Sequence, residues 1–518
     1  MFAAIGYSHL INHYRLDALP LTQEASYAPG IQRRASRQQG GRLLTLFPAK
    51  YWPQEGFVAH LQFALRYEGI NLEVLALLFA RLGKQELQQL QQWLSANPES
   101  RYARTACHLY EWLTQQPLSI DDPVSPRARY VQLADPQLQL AFPRGEKHSR
   151  FRVQHNLPGT RDFCPLIRLT PYLQGMMAAD LQGLTATTLA RYDQDLLRRA
   201  AAYLYLKETQ SSFEVEREKP SPQKAQRFAN LLRQTDTHSA LTEERLVALQ
   251  QTIVDPRFHE FTWRGIQNWV GKDLSYRKQI DFVPPRPSDV PALMGGLLAL
   301  AQQFQAQERQ AQALHPQLGG TRKNPDPVLM AAAIAFGFIY IHPFEDGNGR
   351  IHRYLIHDVL AKAGFTPRGI VLPVSAVILA NLDDYIAALE QFSQPLNQRT
   401  DFDPSQPAFP ATGNDAIYFR YPDLTAQAEF LYKALERTVT QDLEQEINFL
   451  LGFDRANMLL NDLLDWPGHS RELFIRLVHE NGGSLSANKR KSHFAWLQDE
   501  ELQSATAQVN AAFVTQQS

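Results

Sequence analysis

The apolar residues of this chain recur mainly with helical spacing. Leu189, Leu196 and Tyr203 are seven residues apart. A second apolar stripe runs from Leu424 to Leu450, and such spacing places apolar side chains on one face of a helix. Strand-like alternation is scarce, and its clearest example is the segment 279–283, which two prolines end. The pattern predicts a mainly α-helical protein with one small hairpin.

Turn-rich segments divide the chain into three regions. One such segment spans about 121–161 and another spans 401–414, so the predicted regions are 1–170, 171–400 and 415–518. The length of 518 residues also favours several units, because one hydrophobic core rarely extends that far. The first and third regions are expected to be helical domains that flank the second. The sequence assigns no role to the first region.

Composition and charge exclude little but favour an ordinary globular protein. Apolar residues make up 44% of the chain and charged residues 20%. The 52 basic and 53 acidic residues balance, so the net charge does not favour nucleic acid or membrane binding. The longest apolar run, 328–341, is shorter than the about 20 residues that span a bilayer. Cys107 and Cys164 are expected to be buried reduced thiols, and the protein is expected to be cytoplasmic.

The segment 342–353, with the sequence HPFEDGNGRIHR, is the most informative part of the chain. Pro343 disfavours helix at the residue before it, so an apolar helix is expected to end near residue 341. Gly347 and Gly349 permit turn geometry and a close approach of the backbone to a ligand. A new helix is expected from Arg350, and the free N–H groups and dipole of a helix N-terminus attract anions.

The polar side chains of this segment suit a phosphate and a metal ion. Arg350 and Arg353 are three residues apart and share a helix face, and guanidinium groups pair well with phosphate oxygens. Asp346 offers a carboxylate, and Mg²⁺ typically takes one or two carboxylates together with substrate phosphates. His342 carries the side chain whose ordinary pKa lies nearest neutrality. The set is typical of transfer of a phosphoryl or nucleotidyl group.

The segment resembles the Fic family motif, HPFx(D/E)GNGRxxR, at every fixed position. The resemblance implies a helical Fic domain at 171–400 with a small β-hairpin flap. It also implies a protein adenylyltransferase, which moves AMP from ATP to a serine, threonine or tyrosine hydroxyl of a target protein or of itself. ATP is then the co-substrate and Mg²⁺ the cofactor. The third region is similar to the tail of larger bacterial Fic proteins.

The resemblance also implies a role for each residue of the motif. His342 would be the catalytic base that takes the proton of the target hydroxyl, and Asp346 would hold Mg²⁺. Arg350 would bind the β-phosphate and Arg353 the γ-phosphate. The implied ATP-binding set comprises Phe344, Gly347, Asn348, Gly349, Arg350 and Arg353, in which residues 347–349 form an anion hole and Phe344 is a buried anchor.

A second motif lies upstream, near the end of a helix predicted at about 189–217. Ser212 and Glu216 match the inhibitory motif (S/T)xxxE(G/N) of one Fic class, although Arg217 stands where Gly or Asn is usual. The resemblance implies that Glu216 pairs with Arg353 and thereby blocks the γ-phosphate. Without the downstream motif, the same residues would be typical of a solvated acidic helix end.

The segment 270–285 corresponds to the hairpin that docks the target as an added strand in the family. The resemblance places Gln279, Ile280, Asp281 and Phe282 at the docking edge. The alternative is an ordinary hairpin that covers the core.

Other functions remain open on the same residues. The site would equally serve removal of AMP or transfer of another nucleotide or phosphate-linked group. A nucleotide-binding regulatory scaffold is a second alternative, against which the intact His342 argues. A toxin paired with an antitoxin is a third, against which Ser212 and Glu216 in the same chain argue. The expected partners are ATP, a protein substrate and a second copy in a homodimer, with no membrane and no nucleic acid. His352 and His357 are expected to be packing residues.

Overall fold

The computed structural model describes residues 3–39, 42–53, 56–121, 123–235, 239–274, 277–314, 325–367, 369–406, 408–467 and 469–514. Helices dominate these residues, and the few sheets are small. The prediction of a mainly α-helical protein is therefore confirmed.

The first region is mixed rather than purely helical. Its helices are α1 (Gly6–Tyr14), α2 (Phe57–Tyr67), α3 (Leu72–Phe79), α4 (Lys84–Ala96) and α5 (Arg101–Thr114). Its strands are β1 (Ala3–Ala4), β2 (Gln23–Tyr27), β3 (Ala35–Gln39), β4 (Arg42–Phe47), β5 (Val131–Gln132), β6 (Glu146–His148) and β7 (Val153–His155).

These strands form two sheets, with the orders β1-β2-β4-β3 and β5-β7-β6. In each sheet one pair is parallel, β2 with β4 and β5 with β7. The expectation of a helical domain at 1–170 therefore needs correction. The strands are two to six residues long, and the parallel partners are separated by other elements. Local periodicity does not reveal such pairing, because β-structure depends strongly on its partners.

Among the described residues, the middle of the chain is helical apart from one hairpin. Its helices are α6 (Pro171–Ala178), α7 (Leu181–Leu189), α8 (Gln194–Val215), α9 (Pro222–Leu232), α10 (Glu243–Ile253), α11 (Val290–Leu314), α12 (Pro327–Ile341), α13 (Asn348–Lys362), α14 (Val374–Ala380) and α15 (Leu382–Asn397). The hairpin consists of β8 (Val270–Leu274) and β9 (Arg277–Phe282), which pair antiparallel. The helix predicted at about 189–217 is α8, which begins five residues later than expected.

The end of the chain adds six helices: α16 (Ala416–Arg420), α17 (Thr425–Arg437), α18 (Leu443–Leu463), α19 (Ser470–Glu480), α20 (Ala487–His493) and α21 (Asp499–Phe513). A π-helical turn, Thr438–Asp442, joins α17 to α18. The predicted apolar stripe from Leu424 to Leu450 therefore crosses two helices that are joined without a loop.

Helix α12 forms the centre of the molecule. All its side chains are buried except that of Ile339, and it packs against α11, α13 and α17. Asp326 caps its first turn by accepting hydrogen bonds from the N–H groups of Val328 and Leu329, and Pro327 suits the first helical position. The segment 342–353 leaves the end of this helix and enters α13, so the packed core holds both sides of the loop.

Three large hydrophobic clusters lie along the described residues. The members of the first cluster lie within 7–164 and include Tyr421 as well. The members of the second lie within 140–447, and those of the third within 456–512. Helices α16 and α17 contribute to the middle cluster, because the stripe of α17 packs on α12. The predicted region boundary at residue 415 thus does not coincide with a boundary between cores.

None of the helices in the described part of the chain has the length and apolar character needed to cross a bilayer. Cys107 and Cys164 are both free and buried, as expected.

Candidate active site

His342 caps the C-terminus of α12. Its φ of +51° is left-handed, which ends the helix at Ile341. Its Nδ1 lies 3.2 Å from the carbonyl oxygen of Ile339. Because a carbonyl only accepts hydrogen bonds, Nδ1 carries the proton and Nε2 keeps a free lone pair. Burial, assisted by the charge of Arg264, lowers the pKa of His342 to about 4, so the ring is neutral at physiological pH.

Arg264 is a site residue that the sequence analysis missed. The guanidinium is buried and donates to the carbonyl oxygens of His342, Ile266 and Pro285. Its backbone N–H donates to the carbonyl oxygen of Pro343. These bonds tie the catalytic loop to the base of the hairpin. No local pattern marks Arg264, because its partners are backbone carbonyl groups, three of which belong to His342, Pro343 and Pro285 in other segments.

The loop between α12 and α13 is held from inside by Phe344. Its ring is fully buried, 5.4 Å from the ring of Trp263, so this side chain anchors the loop and does not line a nucleotide surface. The side chain of Asn348 accepts from the N–H of Phe344 at 3.1 Å and donates to its carbonyl oxygen at 2.7 Å. Gly347 has a φ of +91°, which disfavours residues with a side chain. These contacts fix the shape of the loop.

Asp346 lies at the mouth of the loop with its side chain 47% exposed. Its Oδ1 accepts from the N–H of Gly347 at 2.6 Å and from Nη2 of Arg350 at 3.0 Å. Arg350 itself is 2% exposed and also faces Glu218, with Nη1 to Oε2 at 3.3 Å. This partly exposed carboxylate therefore adjoins a buried guanidinium.

Glu216 joins both motif arginines. Its Oε1 lies 2.8 Å from Nη2 of Arg353, and its Oε2 lies 2.9 Å from Nε of Arg350. Arg353 also donates to Oγ of Ser212 at 2.8 Å and to the Ser212 carbonyl oxygen at 2.6 Å. Both guanidiniums are only 2% exposed, whereas Glu216 is 26% exposed. The structure therefore brings Ser212, Glu216 and both arginines together, and Glu216 contacts one arginine more than the motif implied.

The carboxylate of Glu216 lies against the first turn of α13. A Cβ added at Gly349 would overlap Oε1 of Glu216, so only glycine allows this approach. The carboxylate thus occupies the helix N-terminus at which the sequence predicted an anion site.

Arg217, which departs from the inhibitory motif, has a left-handed backbone conformation. It follows the end of α8 with a φ of +59°, a conformation that costs an L-residue with a Cβ about 1–2 kcal/mol. Glycine and asparagine adopt this conformation most readily, which accounts for their usual presence at this position. The strained turn then carries Glu218 to Arg350, a second carboxylate that the sequence analysis missed.

A buried hydrogen bond between Glu208 and His357 attaches α8 to α13. Glu208 lies 2.7 Å from Nε2 of His357, and it accepts hydrogen bonds from the N–H and hydroxyl of Ser375. His352 is buried, and its Nδ1 donates to the carbonyl oxygen of Ala335. Both histidines are packing residues as expected, and His357 additionally positions the helix that carries Glu216.

The predicted docking edge is only partly open. In β9 the side chains of Gln279 and Asp281 are exposed and hydrogen-bonded to each other, whereas Phe282 is buried. The Ile280 carbonyl oxygen accepts a hydrogen bond from Asn397 of α15 at 3.4 Å. The inclusion of Phe282 in a docking surface is therefore wrong for its side chain, which anchors the hairpin to the core. The hairpin tip, residues 275–276, lies outside the described residues.

Glu260 is a further residue that sequence analysis missed. Its Oε1 accepts from the N–H of Glu345 at 2.8 Å and from the side chain of Gln250 at 3.3 Å. Burial raises the pKa of Glu260 to about 7, although the N–H groups of Glu345 and Asp346 oppose the shift. This carboxylate supports the outer side of the catalytic loop.

Comparison with known proteins places this site in a family. The profile of the Fic/DOC family matches residues 240–360, which include the loop and α13 but not Ser212 or Glu216. The chain is 36% identical over 90 residues to a protein adenylyltransferase Fic of Nematostella vectensis, covering 17% of each chain. It is 34% identical over 93 residues to that of Drosophila grimshawi, covering 18% of this chain and 15% of the relative. It is 28% identical over 121 residues to protein adenylyltransferase fic-1 of Caenorhabditis briggsae, covering 21% and 22%.

Two solved structures are more distantly similar. A Fic domain containing signaling protein from Bacteroides thetaiotaomicron matches with a TM-score of 0.35 and 20% identity, over 52% of this chain and 96% of that chain. A Fic family protein from Desulfovibrio desulfuricans matches with a TM-score of 0.36 and 18% identity, over 65% and 84%. The chain spans 15% to 22% of the length of the three curated relatives named above. Residues 240–360 of this chain thus match the Fic/DOC family.

Proposed function

We propose that this protein transfers AMP from ATP to a hydroxyl side chain of a protein. The observation that supports this most directly is the position of His342. Its ring carries a free lone pair on Nε2 and lies at the start of the loop that leads into the anion-attracting N-terminus of α13. The relatives named protein adenylyltransferase are similar to about a fifth of this chain and so support the same activity.

In the proposed reaction the hydroxyl oxygen of the target attacks the α-phosphorus of ATP. A new oxygen–phosphorus bond forms, the bond from the α-phosphorus to its bridging oxygen breaks, and pyrophosphate leaves. Nε2 of His342 takes the hydroxyl proton, a contribution of about 10²–10⁴ in rate. Arg350 and Arg353 neutralise the phosphates, and the negative charge of bound ATP raises the pKa of His342 from about 4 towards neutrality.

The residues present suit a magnesium ion bound together with ATP. Asp346 provides a carboxylate that is half exposed beside the phosphate-binding helix turn, and Mg²⁺ commonly uses such a ligand together with phosphate oxygens. The ion would supply charge neutralisation of the leaving pyrophosphate. Asp346 would hold the ion, while Oδ1 of Asp346 keeps its hydrogen bond from Arg350.

We also infer that Glu216 inhibits this reaction. It occupies both motif arginines and the first turn of α13, which are the groups that the triphosphate needs. ATP and the Glu216 carboxylate therefore compete for one anion site. Self-modification is expected to rise when Glu216 is removed.

The proposal is tested with ATP labelled at either the α- or the γ-phosphorus, in the presence of Mg²⁺. Covalent label on protein is measured for Glu216→Gly, for Glu216→Gly with His342→Ala, and for Glu216→Gly with His469→Ala. His469 is the matched control, because its imidazole is exposed and lies in the third region.

The proposal expects α-label on Glu216→Gly and on the His469 control, no α-label after His342→Ala, and no γ-label on any form. Label from the γ-phosphorus would indicate phosphoryl transfer and overturn it. Absence of α-label in all forms would also overturn it, and the same assay with CTP, GTP and UTP would then test other nucleotides.

A further inference from the structure

Three histidines of the first region converge on one point. His108 comes from α5, His148 from β6 and His155 from β7. One ring nitrogen of each lies within 4.8 Å of a ring nitrogen of the other two. Nε2 of His108 and Nδ1 of His155 are only 3.0 Å apart. These residues lie outside the Fic/DOC domain, and the proposed AMP transfer does not use them.

The fold holds the three rings in place. In the antiparallel pair of β6 and β7, Glu146 faces His155 and His148 faces Val153, so His148 and His155 are diagonal neighbours. Helix α5 packs against β7 and brings His108 to the same point. The ring of Trp112 lies 4.8 Å from that of His155 and limits its rotation. The convergence therefore follows from strand register and helix packing rather than from a flexible loop.

The environment also keeps the rings in the form that binds metal. Burial and the neighbouring histidines lower the pKa of His108 to about 3 and that of His155 to about 4. Both imidazoles are thus neutral at physiological pH, and a neutral imidazole offers a lone pair to a metal ion. The carboxylate of Glu146, 3.9 Å from Nε2 of His148, supplies a negative charge close by.

We propose that His108, His148 and His155 bind a divalent transition metal of the Zn²⁺ class. Zinc–nitrogen bonds are about 2.0–2.1 Å long, so ligand nitrogens of a tetrahedral site are separated by about 3.3 Å. The observed separations, from 3.0 Å to within 4.8 Å, reach this value with small rotations of the side chains. Imidazole ligands suit zinc, copper and nickel rather than Mg²⁺ or Ca²⁺.

The site has a partly open side. His108 is buried, whereas the side chains of His148 and Glu146 are 34% and 82% exposed. The fourth position of the ion therefore faces solvent and Glu146. A bound ion would connect α5 to the β6–β7 pair, across residues that are 40 and 47 positions apart. Its main effect would be to stabilise the first region.

The experiment uses the full chain, freed of metal with a chelator and titrated with Zn²⁺ against a chromophoric competitor. Wild type is compared with His148→Ala, His155→Ala and the matched control His9→Ala. His9 belongs to another histidine group of the same region, in which its ring stacks face to face on that of His60, with centroids 3.6 Å apart. Nitrogen lone pairs lie in the ring planes, so stacked rings do not converge on one ion.

We expect one Zn²⁺ per chain in wild type and in His9→Ala. We expect affinity to fall at least about tenfold in His148→Ala and His155→Ala, since loss of even an indirect ligand partner costs about 10–100-fold. Zn²⁺ should also raise the unfolding temperature of wild type and His9→Ala but not of His148→Ala. His148 is partly exposed, so this variant is expected to fold even if His155→Ala does not.

Two results would overturn the proposal. One is a wild-type chain that binds no Zn²⁺ in competition with the chromophore. The other is zinc binding of equal affinity in wild type, His148→Ala and His155→Ala, which would place the ion elsewhere, for example at Asp346.

Discussion

Removal of the Glu216 charge should strengthen ATP binding through the phosphates. Glu216→Gln keeps the size of the side chain but loses the carboxylate that faces Arg353 at 2.8 Å and Arg350 at 2.9 Å. A hydrogen bond to a charged group contributes about 1.5–3 kcal/mol. The triphosphate must displace this interaction before it binds both arginines. Its removal therefore corresponds to a gain of about 10–150-fold in ATP affinity.

The same substitution should weaken the protein without nucleotide. Breaking a buried ion pair costs about 3–5 kcal/mol when the partner charge is left alone. Here the loss is smaller, because Arg350 still faces Asp346 and Glu218, and Arg353 still donates to Ser212. We therefore expect Glu216→Gln to unfold at lower denaturant concentration than wild type, and ATP to restore more of its stability than it does for wild type.

The assay is titration calorimetry with ATP and with adenosine, on wild type, Glu216→Gln and the control Glu214→Gln. Glu214 is exposed at the end of the same helix, and its substitution by glutamine removes an equal charge. The gain should appear with ATP, be absent with adenosine, and be absent in Glu214→Gln. Equal ATP affinity in wild type and Glu216→Gln would refute the competition, and an equal gain for adenosine would show that the phosphates are not its origin.

Three further predictions concern stability, and one of them links it to the proposed inhibition by Glu216. Arg217→Gly should raise the free energy of unfolding, measured by urea denaturation, by about 1 kcal/mol, because glycine adopts the positive φ without strain. The control Glu214→Gly, which places glycine within α8, should lower it by about the same amount. Glu208→Gln should lower the free energy of unfolding by about 1–3 kcal/mol, since it removes the carboxylate that binds His357. It should also raise self-modification, because α8 is then held less firmly. Unchanged self-modification would show that this contact does not support the proposed inhibition by Glu216. Burial raises the pKa of Glu73 to about 7, so its contribution to stability is full below about pH 4.5 and is lost as the pH rises through 7. This amounts to about 3 kcal/mol, and urea denaturation from pH 5 to 8 should show a smaller decline in Glu73→Gln.

Local sequence patterns predicted the parts of the site that lie close together in the chain. Pro343 and the glycines after it predicted where α12 ends and α13 begins, within about two residues. The hairpin strand predicted at 279–283 is observed as β9, Arg277–Phe282. These features depend on the backbone preferences of neighbouring residues, which a sequence shows directly.

Long-range contacts were decided only by the tertiary structure. Arg264, Glu260 and Glu218 carry no motif, and their roles arise because packing brings them to the loop. The sequence alone, through a family resemblance, proposed that Glu216 pairs with Arg353, but the additional contact with Arg350 required α8 to lie across the start of α13.

The first region shows the same limit most clearly. Its strands β1, β5, β6 and β7 have only two or three residues, too few to show alternation. Its three histidines are separated by up to 47 residues before the β6–β7 register and α5 bring their ring nitrogens together. Sequence by itself thus determined helix boundaries, turn chemistry and the order of the residues in the segment 342–353. The tertiary structure determined which distant charges and imidazoles meet, because such meetings depend on packing geometry and not on the preferences of adjacent residues.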